Sequence, residues 1–191
     1  RSTPSFDQPR IEAAVREILL AIGENPDREG LLDTPSRVAR AYGEMFGGLD
    51  QSPAAHLARQ FPQDGSDPVM VTDIPFTSMC EHHLLPFTGV AHIAYQPQHG
   101  RVVGLSKLAR TVQILARRPQ QQERLTQQVR EAIEEHLDPA GVLVMLEATH
   151  SCMQIRGAKA HGASMKTRSV GGRWERDAAT RREIQEMMVG K

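Results

Sequence analysis

Hydrophobic positions along the chain change their spacing partway through. Ile11, Val15, Ile18, Leu19 and Ile22 fall on one face of a helix that ends near Gly23. Asn25-Pro26 marks a turn, and Thr34-Pro35-Ser36 opens a second helix carrying Val38, Tyr42 and Met45 that stops at Gly47-Gly48. The first ten residues, with Pro4 and Pro9, read as a frayed arm. Residues 50–68 turn rich in Pro, Gln, Asp and Gly, so the main boundary belongs there. The expected organisation is a helical N-terminal segment and linker over 1–60 and a mixed body over 61–191.

In the body, Val69–Ile74 is compatible with a short strand, and Phe87, Gly89, Ala91, Ile93 and Tyr95 alternate with their neighbours as a longer one. Gln98-His99-Gly100 supplies a turn into Arg101–Gly104, which predicts a hairpin. Ser106 can cap a helix bearing Leu108, Val112 and Leu115 that ends before Pro119. A second helix from about Gln121 repeats Leu125, Val129, Ile133 and Leu137 at four-residue steps. Gly141–Thr149 is nearly all apolar and reads as a buried strand; Ser164–Val170 follows as another, and a last helix runs from about Arg176. The order β-β-α-α-β-β predicts an α+β fold, antiparallel hairpins around a helix pair, rather than a doubly wound sheet.

Composition narrows the class. Among 191 residues, 23 Lys and Arg balance 23 Asp and Glu, which argues against a nucleic-acid binder. No apolar run approaches the ~20 residues of a membrane span, and no cleavable secretory signal is present, so a soluble cytoplasmic protein is expected. Two cysteines, Cys80 and Cys152, are too few for a secreted disulfide framework.

Both cysteines lie in histidine-rich company. Cys80-Glu81-His82-His83 holds a C-x-x-H spacing that lets one turn present sulfur and nitrogen to the same ion; Cys152 would complete two thiolates and an imidazole. Three protein ligands leave tetrahedral zinc a fourth position for water, the layout of a catalytic site. Soft thiolates favour zinc over magnesium or calcium. The competing readings are an inert core cysteine beside structural histidines, and a Cys80–Cys152 disulfide. His82 and His150 flank the ligand segments and can exchange protons near neutral pH. Gly104-Leu105-Ser106-Lys107 and Arg110 place a helix start, a hydroxyl and two cations where phosphate oxygens could bind. Arg156 follows Cys152 by four residues. Glu123, in the first turn of its helix, is either an acid favoured by the helix dipole or an acceptor for a ligand's N–H groups. P-loop, H-E-x-x-H and zinc-deaminase patterns are absent.

Ser78-Met79-Cys80-Glu81-His82-His83-Leu84-Leu85-Pro86-Phe87, Gly104-Leu105-Ser106-Lys107, Arg117-Arg118-Pro119-Gln120, Gln122-Glu123-Arg124-Leu125-Thr126 and His150-Ser151-Cys152-Met153 together closely resemble GTP cyclohydrolase I, as does Asp33-Thr34-Pro35-Ser36-Arg37. The resemblance runs from about Ile11 through nearly the whole chain. It implies a tunnelling fold whose subunits join sheets into a barrel, typically a homodecamer of two pentamers with active sites at subunit interfaces. It implies conversion of GTP and water into 7,8-dihydroneopterin triphosphate and formate, the entry to tetrahydrofolate or biopterin synthesis. The family's Zn(2+) ligands fall on Cys80, His83 and Cys152, and its acid–base residues on His150, His82 and Ser106. Glu123 matches the guanine anchor with Gln122 as companion; Lys107, Arg110 and Arg156 match triphosphate positions, and Arg37 would reach in from a neighbouring subunit. Trp174 stands where the family pattern leads one to expect phenylalanine, and Ala160-His161-Gly162-Ala163 departs from it.

Two other classes compete. A noncatalytic nucleotide- or pterin-binding relative would keep zinc for structure and bind GTP without releasing formate. A tunnelling-fold enzyme using Cys80 as a covalent nucleophile would leave His83 and Cys152 without a role.

Overall fold

The structure is a computed structural model and describes residues 6–190. The chain divides into two compact units, Arg1–Gly47 and Gly48–Lys191.

The first unit is a helix pair, α1 (Gln8–Ala21) and α2 (Thr34–Met45). Part of the expected frayed arm lies outside the described residues, but Gln8–Arg10 are already helical. Pro9 starts the helix rather than breaking it, because the first turn has no use for its missing N–H. The Asp7 carboxylate accepts the Arg10 N–H at 3.1 Å and caps that turn. The apolar residues expected on one face of α1 are not buried, and Ile22 is 72% exposed.

The second unit runs α3 (Ala54–Leu57), β1 (Gln60–Pro62), β2 (Val69–Cys80), β3 (Pro86–Gln96), β4 (Arg101–Val103), α4 (Leu105–Ala116), β5 (Pro119–Gln120), α5 (Gln122–Leu137), β6 (Gly141–His150), α6 (Ser151–Gln154), β7 (Met165–Gly172), a 3-10 turn (Arg173–Glu175) and α7 (Ala178–Val189). Its main strands and helices follow the expected β-β-α-α-β-β order. They form a five-stranded sheet ordered β5-β2-β3-β6-β7, antiparallel except at β5.

Three local expectations are corrected. The hairpin from β3 into β4 does not form: β3 already has β2 and β6 on its two edges, so β4 pairs instead with β1. Part of the stretch expected as linker is therefore ordered, with Leu57 of α3 fully buried. Ser106 does not cap α4; Gly104 holds the cap position and the Ser106 side chain is exposed in the first turn. The short strand expected at Val69–Ile74 continues to Cys80 across a bulge between Val71 and Ile74. At that bulge the left-handed Asp73 donates its N–H to His92 Nδ1 at 3.3 Å.

Both faces of the central strands are covered, which explains why β6 is almost uniformly apolar rather than alternating. Ile93, Tyr95, Val142 and Val144 join the main core with Leu108, Val112, Leu125, Val129 and Ile133 of α4 and α5. Ala94 and Leu143, the residues between, are register partners and face a second cluster with Trp174, Ile184 and Met188. No helix among the described residues is long and apolar enough to cross a membrane.

Candidate metal centre and active site

Sheet register brings the chemical residues together. Cys80 ends β2, and residues 81–85 return the chain to β3. The turn is closed by Cys80 N–H donating to Leu85 O (2.9 Å) and Leu84 N–H donating to Cys80 O (2.8 Å), with Leu84 left-handed at φ 52°. Across the sheet, Phe87 near the start of β3 is paired with His150, the last residue of β6. Cys152, two residues later on α6, therefore arrives beside that turn. One ligand atom each from Cys80, His83 and Cys152 lies within 4.8 Å of the others. Both cysteines are free thiols, so they do not form the alternative disulfide.

The donor set fits a metal ion. Burial, and then the neighbouring Cys80 thiol, push the Cys152 thiol above its ordinary range. Two adjacent thiols resist losing both protons unless a cation compensates the charge, and sulfur with imidazole suits a soft divalent ion. Arg156 donates from Nη1 to His83 Nε2 at 2.7 Å, which places its guanidinium beside the group.

His150 is held from two sides. Its ring stacks on Phe87 with centroids 4.5 Å apart and planes 2° from parallel, and Nε2 lies 2.8 Å from Gln122 Oε1. Gln122 is 1% exposed, and its amide orientation is determined by its partners. The amide nitrogen faces Met165 O (2.9 Å) and Leu146 O (3.2 Å), which can only accept, and Thr167 Oγ1 (3.1 Å). Thr126 donates to Gln122 O (2.7 Å), so the Thr126–Thr167 contact (2.7 Å) takes its proton from Thr167 and leaves Thr167 Oγ1 as an acceptor. Gln122 Oε1 thus faces His150, whose Nε2 carries the hydrogen. Burial lowers the His150 pKa, opposed by the charge of Glu123.

His82 is exposed, with Nδ1 3.9 Å from Cys80 Sγ and Nε2 3.3 Å from Gln121 Nε2. Glu123 is exposed in the first turn of α5. Ser106, Lys107 and Arg110 stand on the first turns of α4, a different element from those that build the Cys-His-Cys group. Arg37 lies in the first unit and pairs with Asp33 at 3.0 Å. The sequence reading overlooked Glu81, Gln121 and Arg124. Glu81 sits inside the cysteine–histidine run, but Arg124 looks like any helix-surface arginine and meets Glu81 only across 43 residues of chain.

The family model for GTP cyclohydrolase I matches residues 11–189. GTP cyclohydrolase 1 of Carboxydothermus hydrogenoformans is 58% identical over 177 residues, covering 93% of this chain and 92% of that protein. GTP cyclohydrolase 1 of Bacillus mycoides is 58% identical over 175 residues, covering 92% of this chain and 93% of its own length. A crystal structure of the archaeosine synthase QueF-Like in the apo form aligns with 57% of this chain and 97% of that chain, at 15% identity and a TM-score of 0.48.

Proposed function

The chain belongs to the GTP cyclohydrolase I family, and from that membership we propose how its residues divide the work on GTP. It is an enzyme of that type. The reaction takes GTP and water to 7,8-dihydroneopterin triphosphate and formate, carbon 8 of the purine leaving as formate, as the first step of tetrahydrofolate and pterin biosynthesis. The observation that carries the reading is the convergence of Cys80, His83 and Cys152 within 4.8 Å of one another, with His82 Nδ1 3.9 Å from Cys80 Sγ, in a chain of this family.

Cys80, His83 and Cys152 would hold zinc, which when bound would supply a Lewis acid able to lower the pKa of water to ~7. His150, oriented by Gln122 and Phe87, keeps its Nε2 proton and offers Nδ1 for proton exchange with the purine's imidazole ring. His82 acts on the opened ribose and in formyl removal. The exposed Glu123 carboxylate accepts guanine N–H groups, and its position in the first turn of α5 places it one residue from Gln122. Ser106, Lys107, Arg110 and Arg156 take the triphosphate, with Ser106 also moving protons in later steps, and Arg37 contributes from a neighbouring subunit. Gln122, assigned with the substrate residues from sequence, acts through His150 because its amide is already committed within the protein. The assembly is a homodecamer in the cytoplasm.

The test is anaerobic incubation of the purified protein with GTP, quantifying formate and the fluorescence of oxidised neopterin. Stoichiometric formate and neopterin are expected, lost in Cys152→Ala and after chelation. A zinc-loaded oligomer that binds GTP but releases no formate would instead identify a noncatalytic relative.

A further inference from the structure

Glu81 is flanked by the ligand Cys80 on one side and His82-His83 on the other, yet it faces away from the metal group toward α5. Arg124 grips its carboxylate bidentately, Nη1 to Oε2 at 2.5 Å and Nη2 to Oε1 at 2.9 Å. This fork-to-carboxylate geometry fixes orientation as well as distance. Gln121 adds a second tie, donating from Nε2 to Glu81 Oε1 at 2.8 Å and contacting His82 Nε2 at 3.3 Å. Both amide hydrogens are thereby used, so His82 Nε2 is an acceptor and its hydrogen sits on Nδ1, facing Cys80 Sγ. The backbone continues the attachment, since Glu81 N–H donates to Gln120 O at 3.0 Å and Cys80 is in parallel register with Gln120. All of these anchors lie within one turn of the start of α5, the turn that also carries Gln122 and Glu123.

We propose that Glu81 and Arg124 are positioning residues of the metal centre: with Gln121, their ion pair ties the Cys80–His83 ligand turn to the first turn of α5. This rests on the reading that Cys80, His83 and Cys152 bind metal. The tie spans two elements that share no other side-chain clamp of this kind among the described residues, and it sets where two of the three ligands stand relative to Glu123. Groups that orient metal ligands typically change affinity by ~10–100-fold when removed. An ion pair on a solvated surface contributes almost nothing. The two roles therefore separate by magnitude.

The full chain is loaded with zinc, and release to a chromogenic chelator is timed for wild type, Glu81→Gln, Arg124→Gln, the double variant and Arg124→Lys. Arg28→Gln, which breaks the exposed Glu24–Arg28 pair, serves as a reference. Each single neutral variant is expected to release zinc about tenfold faster. The double variant should be no faster than the faster single, Arg124→Lys intermediate, and Arg28→Gln unchanged. Release at the wild-type rate in both singles, or effects that simply multiply in the double, would overturn the proposal. A wild type that retains no zinc would overturn the metal centre along with it; tight wild-type retention with unaltered variants overturns the positioning role alone.

Discussion

A single buried amide decides which nitrogen of His150 carries its hydrogen. Gln122 differs little in sequence from its neighbours Gln120 and Gln121, but its amide meets two carbonyls and a committed hydroxyl, and those partners orient it. Replacing it with the similarly shaped methionine should free the ring. In Gln122→Met, 15N spectra of labelled histidine should show His150 populating both tautomers, where wild type shows the pyridine-type nitrogen only at Nδ1. Turnover should fall about tenfold to a hundredfold, within the ~10²–10⁴-fold that positioned acid–base groups contribute. An unchanged tautomer would mean that the Gln122 amide does not select it. Glu123 shows the limit of reading residues singly: its dipole-favoured position and its access to a ligand are both compatible with the first turn of α5.

Elements in this fold are held by close approaches that their own sequences do not reveal. Gly141 begins β6 directly against the buried Trp174 ring, where an added Cβ would lie 2.6 Å from ring carbon. Gly141→Ala should therefore lower stability by roughly 1–3 kcal/mol, read as a shift of the urea midpoint with an unchanged slope. Tyr95 joins β3 to β4 by accepting the Val103 N–H at 3.1 Å, and burial raises its phenol pKa. The neutral phenol is favoured in the folded state, so its contribution is intact below the ordinary value near ~10 and is lost as pH rises toward the raised one. The decline in stability above about pH 10 should be shallower in Tyr95→Phe, measured by urea melts across the alkaline range. The same strand pair explains the failed hairpin expectation: turn chemistry at Gln98–Gly100 was legible, but which strand would accept β4 depended on edges already occupied.

At the scale of the whole molecule, a metal held by Cys80, His83 and Cys152 would couple binding to folding. The three candidate ligands come from the end of β2, the turn that follows it and α6, segments about 70 residues apart that meet only in the native sheet. Metal bound to the native state alone adds RT ln(1 + [L]/Kd), about 2.7 kcal/mol at a hundredfold excess over Kd. Chelation should lower the thermal midpoint of wild type and leave that of Cys152→Ala unmoved; an unmoved wild type would mean that no metal is coupled to folding. The order of the main elements is legible in the chain alone, since periodicity and turn residues are local properties. It also marked Cys80, His83, Cys152 and His150, whose chemistry is rare enough to stand out in a short run. Tertiary structure decided how those residues are held: the Phe87–His150 register, the orientation of the Gln122 amide and the Arg124–Glu81 grip join positions far apart in the chain. Such partners are ordinary residue types, distinguished only when packing removes water and leaves each polar group a single place to bond.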